Sequence, residues 1–370
     1  MEKTLWLGTR KGLIAVHRKP TGWEIGGISF RGIPVPMLLP DRRDGRLHAA
    51  IEHGHFGTKM HVSADGGATW EEEGCPAYPP KPEGVPDTIC PMLQQVIPWS
   101  LKKIWALEIG GNDEPGLLWC GTIPGGLFRS GDGGASWTLV EGLWNRPERS
   151  GWFGGGADWP GLHSILVDPR DSCRILVAIS CGGVWETVDG GENWDLLGEG
   201  LIADFMPPES VGDPNIQDVH RLDWCRDDPD QVWAQHHCGI FRSRDGARTF
   251  ERVEKADPSD FGFAVAVHPT RPGTAWFVPA EIDDLRVPVG DAFCAMRTTD
   301  DGASFEALRN GLPQEHAYHL VYRHALALSD DGSTLAFGST TGSVWISEDA
   351  GDSWTRLSAE LPPVYCVRFG

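Results

Sequence analysis

The stretch Thr187-Val188-Asp189-Gly190-Gly191-Glu192-Asn193-Trp194 decides the fold, because it is one of six versions of a single phrase. The others run from Ser63 to Trp70, Ser130 to Trp137, Ser243 to Phe250, Thr298 to Phe305 and Ser347 to Trp354. The shared pattern is Ser/Thr-x-Asp-x-Gly-x-Ser/Thr/Asn-Trp/Phe, and the fourth copy alone has Ala247 in place of the second glycine. The six aspartates (65, 132, 189, 245, 300 and 349) are 67, 57, 56, 55 and 49 residues apart. Self-similarity at a nearly constant period marks a repeat architecture, so each interval is one unit plus loops of variable length.

The unit reads outward from the third copy. His163-Ser-Ile-Leu-Val-Asp168-Pro predicts a strand ending in a turn, and Arg174-Ile-Leu-Val-Ala-Ile-Ser180 predicts a second. Val184 to Thr187 and the run around Asn193 to Leu197 predict a third and fourth, with the Asp-Gly-Gly turn between them. Four short strands punctuated by Gly, Asp and Pro make an antiparallel meander. Such a sheet cannot bury both faces alone, so the units must pack on one another, and radial packing gives an all-β propeller. The expected blades are 35–71, 104–140, 163–197, 219–253, 263–308 and 320–357, in one domain covering 1–370. A seventh lies at 4–25 and lacks the Asp phrase; its missing strand is supplied by 364–369, closing the ring and removing a sheet edge.

Within the phrase, Asp can accept backbone N–H bonds at a hairpin turn, Gly tolerates positive φ, and the trailing Trp or Phe can bury its ring between sheets. Six copies spread around a ring cannot all reach one site, so the phrase is structural. It resembles the Asp-box, or BNR repeat, of sialidases, sortilin-type receptors, xyloglucan-active hydrolases and seven-bladed photosystem II assembly factors. The resemblance spans nearly the whole chain and implies the propeller fold, closest in architecture to single-domain seven-bladed members. It leaves function open, since those families run unrelated chemistries on one scaffold. Sialidases carry an arginine in a Phe/Tyr-Arg-Ile-Pro phrase; here Phe30-Arg31-Gly32-Ile33-Pro34 has an extra glycine that shifts the register of Arg31. With only four tyrosines, among them Tyr318 and Tyr322 near Glu315, a true sialidase is not expected.

Composition narrows the partners. Hydrophobic residues make up 40% of the chain, with 17 Trp and 14 Phe, which is ample for a core. A formal net charge of −20 repels nucleic acid and anionic membranes, and no apolar run is long enough for membrane insertion. Nine cysteines form no CxxC pair, which suits reduced, mostly buried thiols, and the opening Met1-Glu-Lys-Thr-Leu-Trp-Leu-Gly has no apolar targeting core. A cytoplasmic protein is expected.

If the Asp turns join third and fourth strands, they define one face of the disc. The opposite face then collects the loops between second and third strands and between blades. Eight of the 13 histidines (53, 55, 163, 220, 236, 237, 316 and 319) map there. Long loops with convergent polar groups suggest a concave ligand site. Asp218, His220 and Arg221 could bind a carboxylate or orient a general base, or simply form an ion pair steadying the loop. His236 joins them as a candidate catalytic group unless it caps its strand, and Glu281 with Asp283 could supply an acid/base pair or only solubility. His53, His55, Trp152, Asp158, His163, His237 and His319 are the candidate ligand contacts, with the Gly154-Gly-Gly156 run between Trp152 and Trp159 as an aromatic lid or rim. No motif demands a cofactor; a divalent metal, if bound, would draw on His53, His55 and His236. The expected function is a hydrolase or lyase acting on a glycoside, sugar acid or other small polar ligand. The alternative is a non-catalytic scaffold gripping a protein partner on the same face.

Overall fold

A computed structural model describes residues 4–370. Seven four-stranded antiparallel sheets account for every strand among them. Blade 5 illustrates the pattern, with its strands Val219–Cys225, Asp228–His236, Gly239–Ser243 and Glu251–Val253 running in order from the inside out. The inner strands of successive blades touch in a closed cycle, which makes the array a propeller. Blade 1 is closed as the sequence suggests: Val364–Phe369 forms its innermost strand and pairs with Thr4–Thr9, placing Leu5 opposite Phe369 and Leu7 opposite Val367.

All six Asp turns share one hydrogen-bond scheme. In the second, Ser130 Oγ donates to Asp132 Oδ1 at 2.8 Å and accepts from the Gly134 amide at 2.9 Å. Asp132 in turn accepts from the Ser136 amide and hydroxyl at 2.9 and 2.6 Å. The second glycine of the turn has positive φ and faces the preceding blade. A Cβ built on Gly67, Gly191, Gly302 or Gly351 would come within 2.6 to 3.5 Å of Trp6, Trp119, Trp233 or Trp276, respectively. The one departure has a physical reason. Trp119, Trp233 and Trp276 each pair with the residue before their own blade's turn, and in blade 4 that register position is Leu176, opposite Glu186. The smaller Leu176 shares a core cluster with Ala247, so a methyl fits there, although Ala247 still adopts φ 71°.

Cross-blade ion pairs reinforce the Asp-turn face. Arg174, 9% exposed, binds Asp168, Glu186 and Asp230 at 2.8 to 2.9 Å, joining blades 4 and 5. All nine cysteines are free and seven are buried, consistent with the thiol expectation. Among the described residues no helix is long and apolar enough to cross a membrane. Strand order places the loops between blades, and those between second and third strands, on the face opposite the Asp turns.

Candidate functional site

The site is built where blade 5 enters its inner strand. Asp218 immediately precedes Val219–Cys225, and its carbonyl accepts the His237 amide at 2.9 Å, tying the strand entrance to the loop after Asp228–His236. Side chains converge on the same point. Asp218 Oδ2 lies 3.5 Å from His220 Nε2 and 3.5 Å from His237 Nδ1. The other oxygen, Oδ1, accepts from Ser180 Oγ at 3.3 Å. Asp218 and His220 are buried, whereas His237 is 21% exposed and opens the cluster to the mouth. Its far nitrogen, Nε2, stands 4.0 Å from Asp283 Oδ2, and Asp283 is held by Arg286 Nε at 3.1 Å.

Aromatic rings form the walls. His220 stacks on Phe263 at 4.5 Å, and His237 meets Phe205 and Phe261 edge-on. Arg323, 4% exposed, lies over Trp105 at 4.9 Å and Phe263 at 5.5 Å. Its Nε and Nη2 have no hydrogen-bond partner among the described residues, and Asp218, at longer range, is foremost among the groups that offset its buried charge. Part of the roof is backbone. The amides of Gly155 and Gly156 donate to Ser180 Oγ at 3.1 and 3.2 Å. A Cβ on Gly155 would sit 2.5 Å from Asp218 Oδ2, and one on Gly156 2.7 Å from the Arg323 guanidinium. Only glycines let this loop close so tightly.

Charge and burial compete within the cluster. Burial pushes the Asp218 carboxyl up, but His220, His237 and Arg323 together outweigh it and hold the group well below the usual carboxylate range. Burial also dominates at His220, whose ring is held below its ordinary value despite Asp218. At the half-buried His237, burial is overcome by the Asp218 bond and the charges of Asp218 and Asp283, so its pKa rises. The result is two imidazoles of opposite tendency around one ionised carboxylate, an arrangement suited to proton transfer. Asp218, His220 and His237 also present one donor atom each within 4.8 Å of one another, a spacing compatible with a metal ion.

Other residues named from the sequence fall elsewhere. His236 is buried beside the cluster, where its Nδ1 accepts the Cys238 amide at 3.0 Å and burial takes its pKa down to about 3. His163 is fully buried; its ring meets Ser164 Oγ at 3.0 Å, and its carbonyl accepts from Arg221 and His324. Arg221 thus lies along the inner strand, facing the charges of Arg368, Asp223 and Glu108. Trp152 is fully buried, donating to Asn215 Oδ1 at 2.9 Å, while Asp158 is exposed in the glycine loop. His319 bonds Thr341 Oγ1 at 2.6 Å in blade 7. Glu281 closes a small loop through its amide to Val287. His53 precedes a 3-10 turn, Gly54–Phe56, and His55 lies within it; both rings pack on Phe56, apart from the Asp218 cluster. A groove of about 680 Å³ lies beside them, lined by Ile33, Glu52, His53, Thr58 and Lys102, and it includes no member of that cluster.

Sequence reasoning missed Arg323. The available signal was positional: Tyr322-Arg323-His324 is a polar run just before an inner strand, as Asp218-Val-His220 is at the start of another.

No family model matches the chain. A xyloglucanase of Hypocrea jecorina is 23% identical over 312 residues, covering 72% of this chain and 35% of that protein. The chain spans only 11–35% of the length of the curated relatives it matches, all of them xyloglucanases. Among solved structures, an ancestral GH74 enzyme superposes with TM-score 0.58 at 13% identity, covering 99% of this chain and 40% of its own. YCF48 bound to a D1 peptide superposes with TM-score 0.51 at 14% identity, covering 87% and 80%. At such identities the likeness is one of fold.

Proposed function

We propose that the protein binds a carbohydrate or sugar acid at the mouth of the propeller and acts on it as a hydrolase or lyase. Asp218, His220 and His237 form the reacting centre. The observation that carries this reading is the single buried carboxylate shared by two imidazoles, one of them open to the mouth. The xyloglucanase relatives support a carbohydrate ligand, and the unpaired Arg323 supports an acidic one. Aromatic walls from Phe205 and Phe261 suit stacking against a sugar ring. The test is a thermal-shift and product screen with neutral xyloglucan fragments and uronate-containing oligosaccharides. A shift and turnover that both vanish in His237→Ala support the reading; no response to any sugar overturns it.

One observation favours a second reading, a scaffold that grips a protein. Ten of the 13 large apolar side chains exposed among the described residues lie in loops of this same face, Phe56, Met92, Phe205, Ile282, Leu285 and Tyr318 among them. Such clustering commonly marks a contact surface. Unaltered sugars combined with a co-purifying protein lost on Leu285→Asp would favour it.

A further inference from the structure

We infer that the Asp218–His220–His237 cluster is a mononuclear centre for a divalent first-row transition ion, held by Asp218 Oδ2, His220 Nε2 and His237 Nδ1. The inference deepens the proposed function of this site and rests on it only for what the ion would do to a bound sugar.

The first argument is the direction of the lone pairs. His220 Nδ1 lies 2.7 Å from the carbonyl oxygen of Gly262. A carbonyl can only accept, so Nδ1 carries a proton, and in the neutral ring the Nε2 lone pair faces Asp218 Oδ2. A lone pair facing a carboxylate oxygen is repulsive unless a positive charge lies between them. A proton there would draw the atoms to about 2.7–2.9 Å, the usual length of a charge-assisted bond. The separation is instead 3.5 Å, and Asp218 Oδ2 stands at the same 3.5 Å from His237 Nδ1. Two ligands bound tetrahedrally to one ion at about 2.0–2.1 Å lie roughly 3.4 Å apart.

The second argument is the outer layer. Metal-binding imidazoles commonly donate their remaining N–H to a carbonyl or carboxylate, which fixes the tautomer and the ring. His220 has that partner in the Gly262 carbonyl, and His237 Nε2 faces the Asp283 carboxylate across 4.0 Å, an ion-pair rather than a hydrogen-bond distance. Asp218 is oriented as well, because Ser180 occupies Oδ1 and leaves Oδ2 for the cluster. Stacking on Phe263 and the edge of Phe205 hold the two rings. Three protein donors with an open side at the exposed His237 edge leave room for water or a substrate oxygen, as catalytic centres require. Two nitrogens and one oxygen select zinc, cobalt, iron or manganese over calcium, which prefers oxygen alone.

The test is titration of chelator-stripped, full-length protein with Co²⁺ and Zn²⁺, followed by visible absorption and calorimetry, with X-ray absorption on the zinc-loaded wild type. One ion per chain, cobalt bands of low-coordinate type and a shell containing two imidazoles are expected. Asp283→Asn, on a half-exposed loop and so safe for folding, should weaken binding about 10- to 100-fold. His237→Ala should weaken it further, and the double variant His53→Ala/His55→Ala should leave it unchanged. Absence of saturable binding, a shell without imidazole, or equal affinity in His237→Ala would overturn the assignment. The two readings fail separately. Metal bound without any sugar response removes the carbohydrate reading alone, sugar turnover in a protein that binds no metal removes the metal centre alone, and turnover undiminished in metal-free protein that still binds metal removes the ion's part in the chemistry.

Discussion

His237 meets Asp218 twice, through its backbone amide on the Asp218 carbonyl at 2.9 Å and through ring Nδ1, 3.5 Å from the Asp218 carboxylate. The main-chain bond fixes the loop, so the ring can be removed without releasing it. His237→Ala should therefore keep its fold by circular dichroism while losing turnover on a responsive sugar by about a hundredfold or more. A variant that unfolds, or that works at the wild-type rate, would contradict the separation of roles.

Ser130 is buried, and its hydroxyl serves both the Asp132 carboxylate and the Gly134 amide. Ser130→Ala leaves that amide without its acceptor and should cost about 1–3 kcal/mol in urea unfolding. Ligand response should be unaltered, because the turn lies on the opposite face.

Gly302 has φ 84°, and a Cβ there would stand 2.8 Å from Val253 and 3.4 Å from Trp233 of the preceding blade. Overpacking and a left-handed backbone act together in Gly302→Ala, which should lose roughly 1–3 kcal/mol. The same change already exists at Ala247, where Leu176 leaves the space; comparing Gly302→Ala with Gly302→Ala/Trp233→Leu by thermal unfolding should show partial rescue.

Hydrogen bonds from Thr69, Ser136 and Asn193 hold Asp65, Asp132 and Asp189 down at about 2. Since unfolded Asp titrates near 3.9, these turns contribute fully above roughly pH 4, and their contribution is lost as pH falls toward 2. Urea midpoints measured at pH 5, 4 and 3 should fall steadily. Asp132→Asn should flatten that fall, and an unchanged slope would place the acid sensitivity elsewhere.

Arg174 is the one cation touching both buried Asp168 and Glu186 among the described ion pairs. Arg174→Met strands part of that negative charge and should cost about 3–5 kcal/mol. Chemical denaturation gives the number, and a loss under 1 kcal/mol would mean that Arg170 and Arg248 suffice.

How much could be read beforehand depended on what was local. The Asp phrases carry their own hydrogen-bond partners within eight residues, so turn, blade and face followed from the sequence, and blade count and closure followed from the leftover strands. Asp218 and His220 were legible as candidates because they stand at an inner-strand entrance, and His237 because the loop after a second strand falls on the face opposite the Asp turns. Arg323 was not, since it reaches the cluster from a third element about 100 residues later, and no short-range pattern encodes that approach. Trp152 looked like a rim aromatic beside three glycines, yet its side chain turns inward to Asn215 while the glycines form the cover. Sequence spacing alone does not say on which side of a loop the ring will fall.

Removing residues 364–370 takes away the strand that pairs with Thr4–Thr9 and exposes the edge it covers. The truncated protein should melt far lower than the full chain and aggregate at lower concentration. An unchanged melting temperature would show that the remaining strands hold blade 1 unaided.

That pairing also has a temporal side. Thr4–Thr9 leaves the ribosome before its partner, which follows some 360 residues later, roughly 20–70 s at ordinary elongation rates. Throughout that interval the first blade lacks its inner neighbour and presents an open backbone edge. Newly made chains of this protein therefore depend, until Val364–Phe369 has emerged, on whatever conditions keep that edge from pairing with another copy.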